Sequence, residues 1–263
     1  MTRVLLTGST GFIGSAVHRR LADLPGVRLR LLRREPSPGR SDVVTGDLTD
    51  PAGLRGLCDG VDVVVHAASY VGPDPGRCAS VNAVGTANLV SEAHRAGTPG
   101  LVYVSTASVY GRGPHTEVTE DAVPARPESP VSSTRLAAEK LIRAAGGLVI
   151  RPHLVYGPGD RWVVPALATL LPALPGWVDG GRARMSMIHV DDLARLVTSL
   201  ALDPPPGSAG AVYHANHPEP AVVREAGEAL GRSLGFAWPS GTVPYDQAVP
   251  ELPPGSGGGT STC

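Results

Sequence analysis

The eight residues 7-TGSTGFIG-14 decide how this chain folds. The apolar stretch Arg3–Thr7 precedes them and an amphipathic stretch reaching Leu24 follows, an order that predicts a strand, a glycine-rich turn and a helix. In such a turn the first glycine permits the bend, the second lets backbone approach a pyrophosphate, and the third lets the helix pack on the strand. N–H groups at the start of the helix then face the phosphates. We therefore predict a dinucleotide site formed by Gly8, Ser9, Thr10, Gly11, Phe12, Ile13 and Gly14.

The alternation of strand and helix continues through the first half of the chain. Further strands are predicted at Val27–Leu32, Val43–Gly46, Val61–His66, Leu101–Ser105 and Leu148–Arg151, with a long helix at Gly76–Ala96. Alternating units of this kind predict an α/β fold of the Rossmann type, a doubly wound parallel sheet that binds its ligand at the carboxyl ends of the strands. Later segments, with a helix at Val163–Leu171, predict a small C-terminal substrate lobe or lid.

The chain is predicted to have three parts. A dinucleotide-binding domain covers residues 1–152, and a small substrate-binding lobe covers 153–251, with contributions that interleave between the two. Residues 252–263 are rich in Pro, Gly, Ser and Thr and have no periodic apolar positions. That composition is typical of a disordered tail.

The end of the second predicted strand indicates which dinucleotide binds. An NAD site carries an acidic residue about 20 residues after the glycines, where it accepts hydrogen bonds from the ribose. Here the strand ends in Arg33 and Arg34, with Arg40 nearby. Guanidinium groups bind a 2′-phosphate bidentately, whereas a carboxylate would repel it. We predict NADP(H) as the cofactor, the alternative being two solvated arginines on a loop.

Composition and charge exclude several classes of partner. With a net charge of −1 and 18% charged residues, the chain has no bulk attraction for nucleic acid or a membrane surface. No apolar run approaches the roughly 20 residues that span a bilayer, and Val4–Leu6 is too short for an export signal. Cys58, Cys78 and Cys263 show no metal or redox spacing. We expect reduced thiols, a cytoplasmic location, no metal, and a monomer or homodimer.

Seven motifs, in this order, resemble the extended short-chain dehydrogenase/reductases, the family that includes nucleotide-sugar epimerases and dehydratases. They are 7-TGSTGFIG-14, 47-DL-48, 66-HAA-68, 81-VNAVGTANL-89, 105-STASVYG-111, 151-RPHLVYGPG-159 and 188-IHVDDLA-194, and they cover residues 1 to about 216. The resemblance implies that Asp47 and Leu48 flank the adenine. It also implies that Ala67, Ala68 and Pro152 lie along the cofactor.

The active-site helix of that family carries a tyrosine four residues before a lysine, and this chain has neither. Residues i and i+4 share a helix face, so the lysine assists the tyrosine that protonates the substrate carbonyl. Aligning 135-RLAAE-139 with the family's K-L-A-A-E places Val131 and Arg135 at the two positions. Lys140, the single lysine, has Leu136 four residues before it. Arg135 can still hold the ribose, but its pKa is too high for proton transfer.

Loss of a positioned general acid forfeits about 10²–10⁴ in rate, so the proton needs another source. Thr106 stands at the family's catalytic Ser/Thr position, where it orients a carbonyl but is too weak an acid. Tyr110, His115, His153 and Tyr156 are further candidates near strand ends, each of them otherwise a packed or solvated residue. The substrate is the remaining source, because a phenolic hydroxyl beside the carbonyl would protonate the oxyanion formed by hydride transfer.

The second half of the chain favours an apolar substrate. In the family that this chain resembles, nucleotide-sugar enzymes commonly hold the diphosphate with an Asn and an Arg. This chain has Leu154 at the Asn position and Met185 at the Arg position. A dianion facing these side chains would be poorly paired, although Arg182 and Arg184 could compensate. In 188-IHVDDLA-194, Asp191 or Asp192 is predicted to cap the following helix rather than to act in catalysis.

Aromatic and sulfur-containing side chains suggest what the pocket binds. Tyr110, His153, Trp162 and Met185 are predicted to line it, and such a lining suits a flat polycyclic ligand. All three tryptophans, Trp162, Trp177 and Trp238, lie in this half of the chain. The alternative is that they form the core of the small lobe.

Loss of Tyr and Lys on an intact scaffold resembles a small atypical group of the same family, which includes reductases of aromatic polyketides. The leading hypothesis is an NADPH-dependent ketoreductase in antibiotic biosynthesis that acts on an aromatic polyketide, with the proton supplied by the substrate. One alternative is a non-catalytic NADP(H) sensor or scaffold, which the missing pair equally permits. The other is a nucleotide-sugar 4-ketoreductase or epimerase, against which the missing tyrosine argues.

Overall fold

The computed structural model describes residues 1–113, 115–235 and 241–248, and these fall into two compact units. The first unit comprises Met1–Gly111, Val118–His153 and Val190–Ala215. The second comprises Arg112–Glu117, Leu154–His189 and the described residues from Asn216 onward.

The described residues form thirteen strands: β1 Thr2–Thr7, β2 Val27–Arg33, β3 Val43–Thr45, β4 Val63–His66, β5 Gly100–Val104, β6 Leu148–Pro152, β7 Leu154–Tyr156, β8 Trp177–Val178, β9 Arg184–Met185, β10 Met187–His189, β11 Val212–Ala215, β12 Ala221–Val222 and β13 Thr242–Val243. They also form eight α-helices: α1 Phe12–Ala22, α2 Pro75–Arg77, α3 Gly85–Ala96, α4 Pro130–Ala144, α5 Val163–Leu170, α6 Val190–Leu202, α7 Val223–Leu234 and α8 Tyr245–Ala248. A π-helical stretch, Cys78–Val84, joins α2 to α3, and 3₁₀ turns occur at Ala107–Tyr110, Leu171–Ala173 and Asp179–Gly181.

The first unit is built on a seven-stranded sheet in the order β11-β6-β5-β4-β1-β2-β3, and every pairing in it is parallel. The chain winds outward from β1 in both directions, with β2 and β3 on one side and β4, β5 and β6 on the other. The strand order reverses between β1 and β4, and doubly wound sheets bind their ligands in the crevice outside the carboxyl ends of the strands at such a point. This is the Rossmann-type, doubly wound α/β fold that the sequence predicts.

Helices cover both faces of this sheet. On one face α3 and α4 pack through two apolar clusters, which include Leu5, Val64, Leu89 and Leu101 in the first and Tyr103, Ala138, Ile142 and Val149 in the second. On the other, α1 and α6 pack against each other and against the central strands. Because β4 is buried on both sides, its residues 63-VVV-65 are continuously apolar rather than alternating. The buried strands hold the crevice at a fixed place.

The structure corrects several predicted boundaries. The helix predicted at Gly76–Ala96 is interrupted by the π-helical stretch. Helix α6 begins at Val190, so Asp191 and Asp192 lie in its first turn rather than at the cap position predicted for one of them. A first-turn carboxylate is still favourable there because of the helix dipole. Strand β11 was not predicted, and Trp238 and the predicted tail lie outside the described residues.

The second unit contains three two-stranded pairings: β7 with β10 and β8 with β13 are parallel, and β9 with β12 is antiparallel. Helix α7 lies close to β8, because a Cβ at Gly227 would be only 2.6 Å from the Trp177 ring. Trp177 is 5% exposed. This tryptophan is therefore part of the core of the second unit, as the alternative interpretation of the tryptophans expects.

Candidate functional site

The glycine-rich turn between β1 and α1 is fixed by close backbone contacts. Gly8 has a φ of +75°, and a Cβ there would lie 2.5 Å from the Ala68 nitrogen. A Cβ at Gly14 would overlap the Gly8 carbonyl oxygen. Gly8 must be glycine because of its positive φ and its contact with the segment after β4. Gly14 must be glycine because α1 lies directly on the turn.

Gly11 is different, because the protein itself leaves room for a side chain there. It is the N-cap of α1 with extended backbone, φ −80° and ψ 171°, which any residue adopts. An added Cβ would meet only the Gly8 carbonyl oxygen, at 3.4 Å. A phosphate at the free N–H groups of the α1 N-terminus would need that space. The turn therefore fits a dinucleotide, with Thr10 exposed beside Gly11 and Ser9 buried below.

Arginines at the end of β2 lie beside this turn. Arg33 Nε donates to Ser9 Oγ at 3.3 Å, and Arg33 Nη1 donates to Ser37 Oγ at 3.2 Å. Arg34 follows it and is exposed. Two serines thus hold the Arg33 guanidinium against the phosphate-binding turn, while the Arg34 guanidinium is exposed and its charge helps to lower the pKa of Asp47.

Arg40, also near this end of the sheet, is already neutralised. Its guanidinium donates to both carboxylate oxygens of Asp42, at 3.0 and 2.6 Å. His18 on α1 is affected by the surrounding cations, since burial and then Arg40 and Arg33 lower its pKa. The lowered pKa favours the neutral imidazole, so Arg33 and Arg34 are the cations at this end of the sheet that remain available to a ligand.

Asp47 and Leu48 follow β3 in the same row of strand ends. Asp47 Oδ1 accepts hydrogen bonds from the Thr49 backbone N–H and hydroxyl, both at 2.8 Å, and these bonds lower the pKa of the carboxyl. The Leu48 side chain is buried in the core, and its carbonyl accepts a hydrogen bond from Asn88 Nδ2 at 2.8 Å. Both residues are firmly held by the protein.

A buried histidine links the turn to the helix that follows β4. Thr86 Oγ1 donates to the Asn82 carbonyl at 2.6 Å, so it accepts from His66 Nε2 at 2.9 Å. His66 Nδ1 must then accept from Thr7 Oγ1 at 2.6 Å, and Thr7 accepts from the Ala68 N–H at 3.3 Å. Burial, and then the charge of Arg135, lowers the pKa of His66 to about 3. The imidazole is neutral with a defined tautomer.

The first turn of α4 contains no acid. Ser129 and Ser132 form a reciprocal capping box, with N–H to Oγ distances of 3.0 and 3.1 Å. Thr134 Oγ1 donates back to the Pro130 carbonyl at 2.7 Å. Val131 is half-buried. The neighbouring hydroxyls serve the helix itself and do not replace the absent phenol.

Arg135 is turned toward the carboxyl end of β5. Its Nη2 donates to the Val104 carbonyl, and its guanidinium carbon lies 5.7 Å from the centre of the Tyr103 ring. Its Nε is buried and has no hydrogen-bond partner among the described residues. An unpaired buried donor is costly unless a ligand or water accepts its proton. A ribose hydroxyl of a bound cofactor would accept this proton. Holding the ribose is the role that the sequence analysis expects of Arg135.

Thr106 lies at the carboxyl end of β5, at the start of a 3₁₀ turn. Its Oγ1 accepts from the Ser108 N–H at 3.2 Å and lies 3.0 Å from Ser108 Oγ. The side chain is half-buried. The residue is therefore held in one orientation at the row of strand ends.

Tyr110 belongs to a buried polar network in the first unit. Its hydroxyl lies 2.7 Å from both Arg151 Nη1 and His214 Nε2, and 3.2 Å from the Glu120 carbonyl. Arg151 is paired in turn with Glu139, their side chains being 6% and 1% exposed. Burial raises the pKa of the Tyr110 phenol. A hydroxyl with three partners in the interior is a poor proton donor to a ligand.

The other residues predicted for the site are divided between the two units. Pro152 ends β6 and His153 follows it, both in the first unit. The second unit contains His115, Tyr156, Trp162 and Met185. Trp162 is 61% exposed, whereas Met185 is 8% exposed.

A cavity of about 700 Å³ lies within the second unit. Its wall includes Arg182 and Arg224, together with Asp179 and Glu225. Arg182 Nε donates to the Asp179 carbonyl at 3.2 Å. The wall thus contains two arginines and two carboxylates. Of Arg182 and Arg184, which the sequence analysis names as possible partners of a diphosphate, Arg182 lines this cavity.

The sequence prediction did not include Tyr70, in the segment after β4. Asn82 Oδ1 accepts from the Tyr70 N–H at 2.7 Å, and Asn82 Nδ2 donates to the Tyr70 carbonyl at 3.0 Å. The available signal was a phenol four residues beyond a predicted strand end, in 66-HAASYVG-72. Position alone did not distinguish it from a solvated loop residue.

Three further features of the described ranges bear on function. Within them, no group of three or more His, Cys, Asp or Glu residues is arranged to hold a metal ion. Across the same residues, no helix combines the length and apolar character needed to cross a bilayer. Cys58 and Cys78 are buried free thiols, and burial raises the pKa of Cys58 to about 12.

Comparison with known proteins gives a family and several relatives. The model of the "NAD dependent epimerase/dehydratase family" matches residues 4–215. A 2-alkyl-3-oxoalkanoate reductase of Stenotrophomonas maltophilia is 30% identical over 253 residues, covering 89% of this chain and 76% of the relative. A 4-hydroxy-2-methyl-3-oxo-4-farnesyl-3,4-dihydroquinoline-1-oxide ketoreductase of Stigmatella aurantiaca is 27% identical over 262 residues, covering 94% and 77%.

The fold is also similar to solved structures. A double mutant of dTDP-glucose 4,6-dehydratase from Streptomyces venezuelae, crystallised with NAD, superimposes with a TM-score of 0.74. It is 26% identical to this chain, and the match covers 92% of this chain and 84% of that structure.

Proposed function

Because the chain belongs to the NAD dependent epimerase/dehydratase family, and so uses a nicotinamide cofactor, we propose that it is an NADPH-dependent ketoreductase acting on a ring carbonyl of an aromatic polyketide. The observation that carries the proposal is a contrast within the first unit. The turn at Gly11 and the unpaired Arg135 Nε fit the cofactor. Val131 stands where the family's proton donor would be.

Arg33 supports NADPH over NADH in this proposal. Ser9 and Ser37 hold its guanidinium beside the phosphate-binding turn, and Arg34 adds a second, exposed cation. A ribose 2′-phosphate would accept charge-assisted hydrogen bonds from both. When bound, the cofactor supplies a hydride to the carbonyl carbon.

The proton is assigned to the substrate. Hydride transfer turns the carbonyl oxygen into an oxyanion, which a phenolic hydroxyl on the neighbouring ring carbon would protonate at once. Thr106 would orient that oxygen by a hydrogen bond from β5. The substrate thus replaces the general acid, whose loss would otherwise cost about 10²–10⁴ in rate.

The relatives are consistent with reduction as the reaction. Two of them are a 3-oxoalkanoate reductase and a quinoline-oxide ketoreductase, and the second acts on a ring ketone. The chain also resembles the ketoreductase of simocyclinone biosynthesis, which acts on an angucyclinone polyketide. The resemblance is that both lack the Tyr and Lys of the active-site helix.

A nucleotide-sugar ketoreductase or epimerase is the second candidate. It is favoured by the likeness to dTDP-glucose 4,6-dehydratase and by Arg182 and Arg224 at the cavity of the second unit. Leu154 and Met185 argue against it, because they offer a diphosphate no partner. Loss of the tyrosine also removes the base that such chemistry needs.

The deciding experiment incubates the protein with NADPH labelled with deuterium at C4. The substrates are polycyclic aromatic ketones, each with and without a hydroxyl beside the carbonyl, and dTDP- and UDP-sugars. The proposal expects a product with one deuterium and one exchangeable hydrogen added, formed fastest from the hydroxylated ketones. Turnover of a nucleotide sugar alone would favour the second candidate. Tight NADPH binding with no turnover of any compound would instead favour a sensor or scaffold.

A further inference from the structure

Tyr70 has the chemistry that α4 lacks, and its segment leads into the crevice. It lies four residues beyond β4, the strand next to β1 at the switch point of the sheet. Ligands of doubly wound sheets bind at that point. The segment also touches the phosphate-binding turn, since the Ala68 N–H donates to Thr7 Oγ1 at 3.3 Å.

The backbone of Tyr70 is clamped by a single buried amide. Asn82 is 1% exposed, and its side chain bonds to both the N–H and the carbonyl of Tyr70, at 2.7 and 3.0 Å. Ser69 Oγ adds a bond to the same Asn82 oxygen at 3.3 Å. A segment paired in this way behaves as rigid structure rather than as a mobile loop.

The clamp also connects Tyr70 to the start of α4. The second N–H of the Asn82 amide donates to Thr134 Oγ1 at 3.2 Å. Thr134 Oγ1 is in turn 3.1 Å from the carbonyl of Val131, the residue at the missing acid's position. Tyr70 is thus tied by two side chains to the place where the family carries its phenol.

The ring of Tyr70 is held, while its hydroxyl is not used. The Arg77 guanidinium carbon lies 4.5 Å from the ring centre, a cation–π contact. At Gly72 a Cβ would lie 2.5 Å from the phenol carbon Cζ, so glycine at 72 makes room for the phenol. The side chain is half-buried, and no described residue accepts a hydrogen bond from its hydroxyl. By contrast, the Tyr110 hydroxyl has three partners.

We propose that Tyr70 is a catalytic residue that contacts the substrate carbonyl and is the protein's own proton donor for ketones that bring no hydroxyl. This rests on the proposed ketoreductase function. As the carbonyl carbon gains a hydride from the dihydronicotinamide, the C=O π pair moves to oxygen. The Tyr70 O–H bond breaks, its proton forms the new alcohol O–H bond, and water reprotonates the phenolate. The nicotinamide is oxidised and the ketone reduced.

The test compares Tyr70→Phe with Tyr213→Phe, which removes the same hydroxyl from the edge strand β11. On a ketone without a neighbouring hydroxyl, Tyr70→Phe should lower kcat about 10²-fold or more, the worth of a general acid. On the hydroxylated partner the loss should stay below about tenfold, the worth of one neutral hydrogen bond. NADPH affinity, measured by calorimetry, should not change. Tyr213→Phe should alter none of these quantities.

Gly72→Ala provides a second variant that keeps the phenol and displaces it. Its Cβ would occupy the space of the ring, so it should show the same selective loss on the ketone without a hydroxyl. Gly76→Ala is the matched control, because its Cβ would meet only the Asp74 carboxylate, at 3.3 Å. Equal rates for Tyr70→Phe and Tyr213→Phe on both ketones would overturn the inference alone. If wild-type protein reduces no ketone with NADPH, the proposed function fails and the inference fails with it.

Discussion

Two regions at the carboxyl ends of the strands, the phosphate-binding turn and the start of α4, differ in how well they match the motifs on which the sequence resemblance rests. At the phosphate end, the turn residues Gly8, Gly11 and Gly14 all keep their family identities, and each has a physical reason to do so. At the α4 end, Val131 and Arg135 stand at the positions that the sequence resemblance assigns to the catalytic pair, while a capping box and apolar packing hold the helix itself. Both ends have a well-defined backbone, and only the phosphate end also has the residues that the sequence resemblance leads us to expect.

The difference shows what each end depends on. Phosphate binding uses backbone N–H groups and tight approach, so a change of side chain at Gly8 or Gly14 would alter the fold itself. Proton donation uses one hydroxyl on a helix face that tolerates many residues. An acid can therefore be lost without any structural consequence, whereas Gly8 or Gly14 cannot be replaced without one.

The largest expected effect tests the phosphate end. Gly11→Val should abolish dinucleotide binding while leaving the protein folded, because an added Cβ meets only the Gly8 carbonyl oxygen, at 3.4 Å, and the side chain would fill the phosphate space. Calorimetric titration with NADPH, together with circular dichroism to confirm folding, measures it. A folded variant with wild-type affinity would show that this end does not bind the cofactor.

Next in size is the choice between NADPH and NADH. Arg33→Ala should weaken NADPH binding about 10- to 100-fold, since a hydrogen bond to a charged group is worth about 1.5–3 kcal/mol. Affinity for NADH should change little. Arg34→Ala should have a smaller effect, because Arg34 lacks the two serine contacts that orient Arg33. Equal losses for both cofactors would contradict the 2′-phosphate assignment.

Replacing each of the five predicted candidate donors tests whether the substrate supplies the proton. On a hydroxylated ketone, no single replacement among Thr106, Tyr110, His115, His153 and Tyr156 should lower kcat by more than about 10²-fold, the low end of a general acid's worth. Tyr110→Phe should act mainly on stability, since it removes one partner of buried Arg151 and of His214. A much larger loss in one variant with unchanged folding and NADPH affinity would identify a protein acid and reject substrate assistance.

Rebuilding the family pair should have a smaller effect still on that substrate. Val131→Tyr with Arg135→Lys should barely change kcat for a hydroxylated ketone, because its proton is already supplied. For a ketone without the hydroxyl, whose proton Tyr70 is proposed to supply, the double change should restore activity when it is combined with Tyr70→Phe. The measurement is kcat of the wild type and of the double variant, each with and without Tyr70→Phe, on each of the two ketones. A large gain on the hydroxylated ketone would mean that proton supply limits the natural reaction.

The smallest effect concerns the histidine between the two ends. His66 has an ordinary pKa of 6.5 when unfolded and about 3 when folded, because burial disfavours the charged form. The unfolded chain therefore binds the proton first, and stability is lost as pH falls from 6.5 toward 3. At pH 5 the loss is at most about 2 kcal/mol. Melting temperatures of wild type and His66→Gln between pH 7 and 5 should show a shallower slope in the variant; parallel slopes would contradict it.

The sequence predicts the phosphate end better than the α4 end for a physical reason. Glycine spacing after an apolar strand encodes a local backbone shape, so the turn, β2 and its terminal arginines could be located directly. The direction of the Arg135 side chain depends on the Val104 carbonyl, 31 residues away in sequence. Likewise, the saturation of Tyr110 depends on His214 of β11, a strand whose four residues gave no signal strong enough to predict. Tertiary contacts of this kind have no local pattern.

The π-helical stretch Cys78–Val84 has a consequence for helical phase. Gly85 N–H bonds to the Ser80 carbonyl, five residues back, so this turn contains one residue more than an α-helical turn. One residue corresponds to about 100° of rotation in an α-helix. The extra residue lets Asn82 point at the segment after β4 while Leu89, further along, still points into the core. Deleting one residue of this stretch would restore a regular α-helical pitch and rotate either Asn82 or Leu89 away from its contacts. The length of the segment is therefore itself constrained.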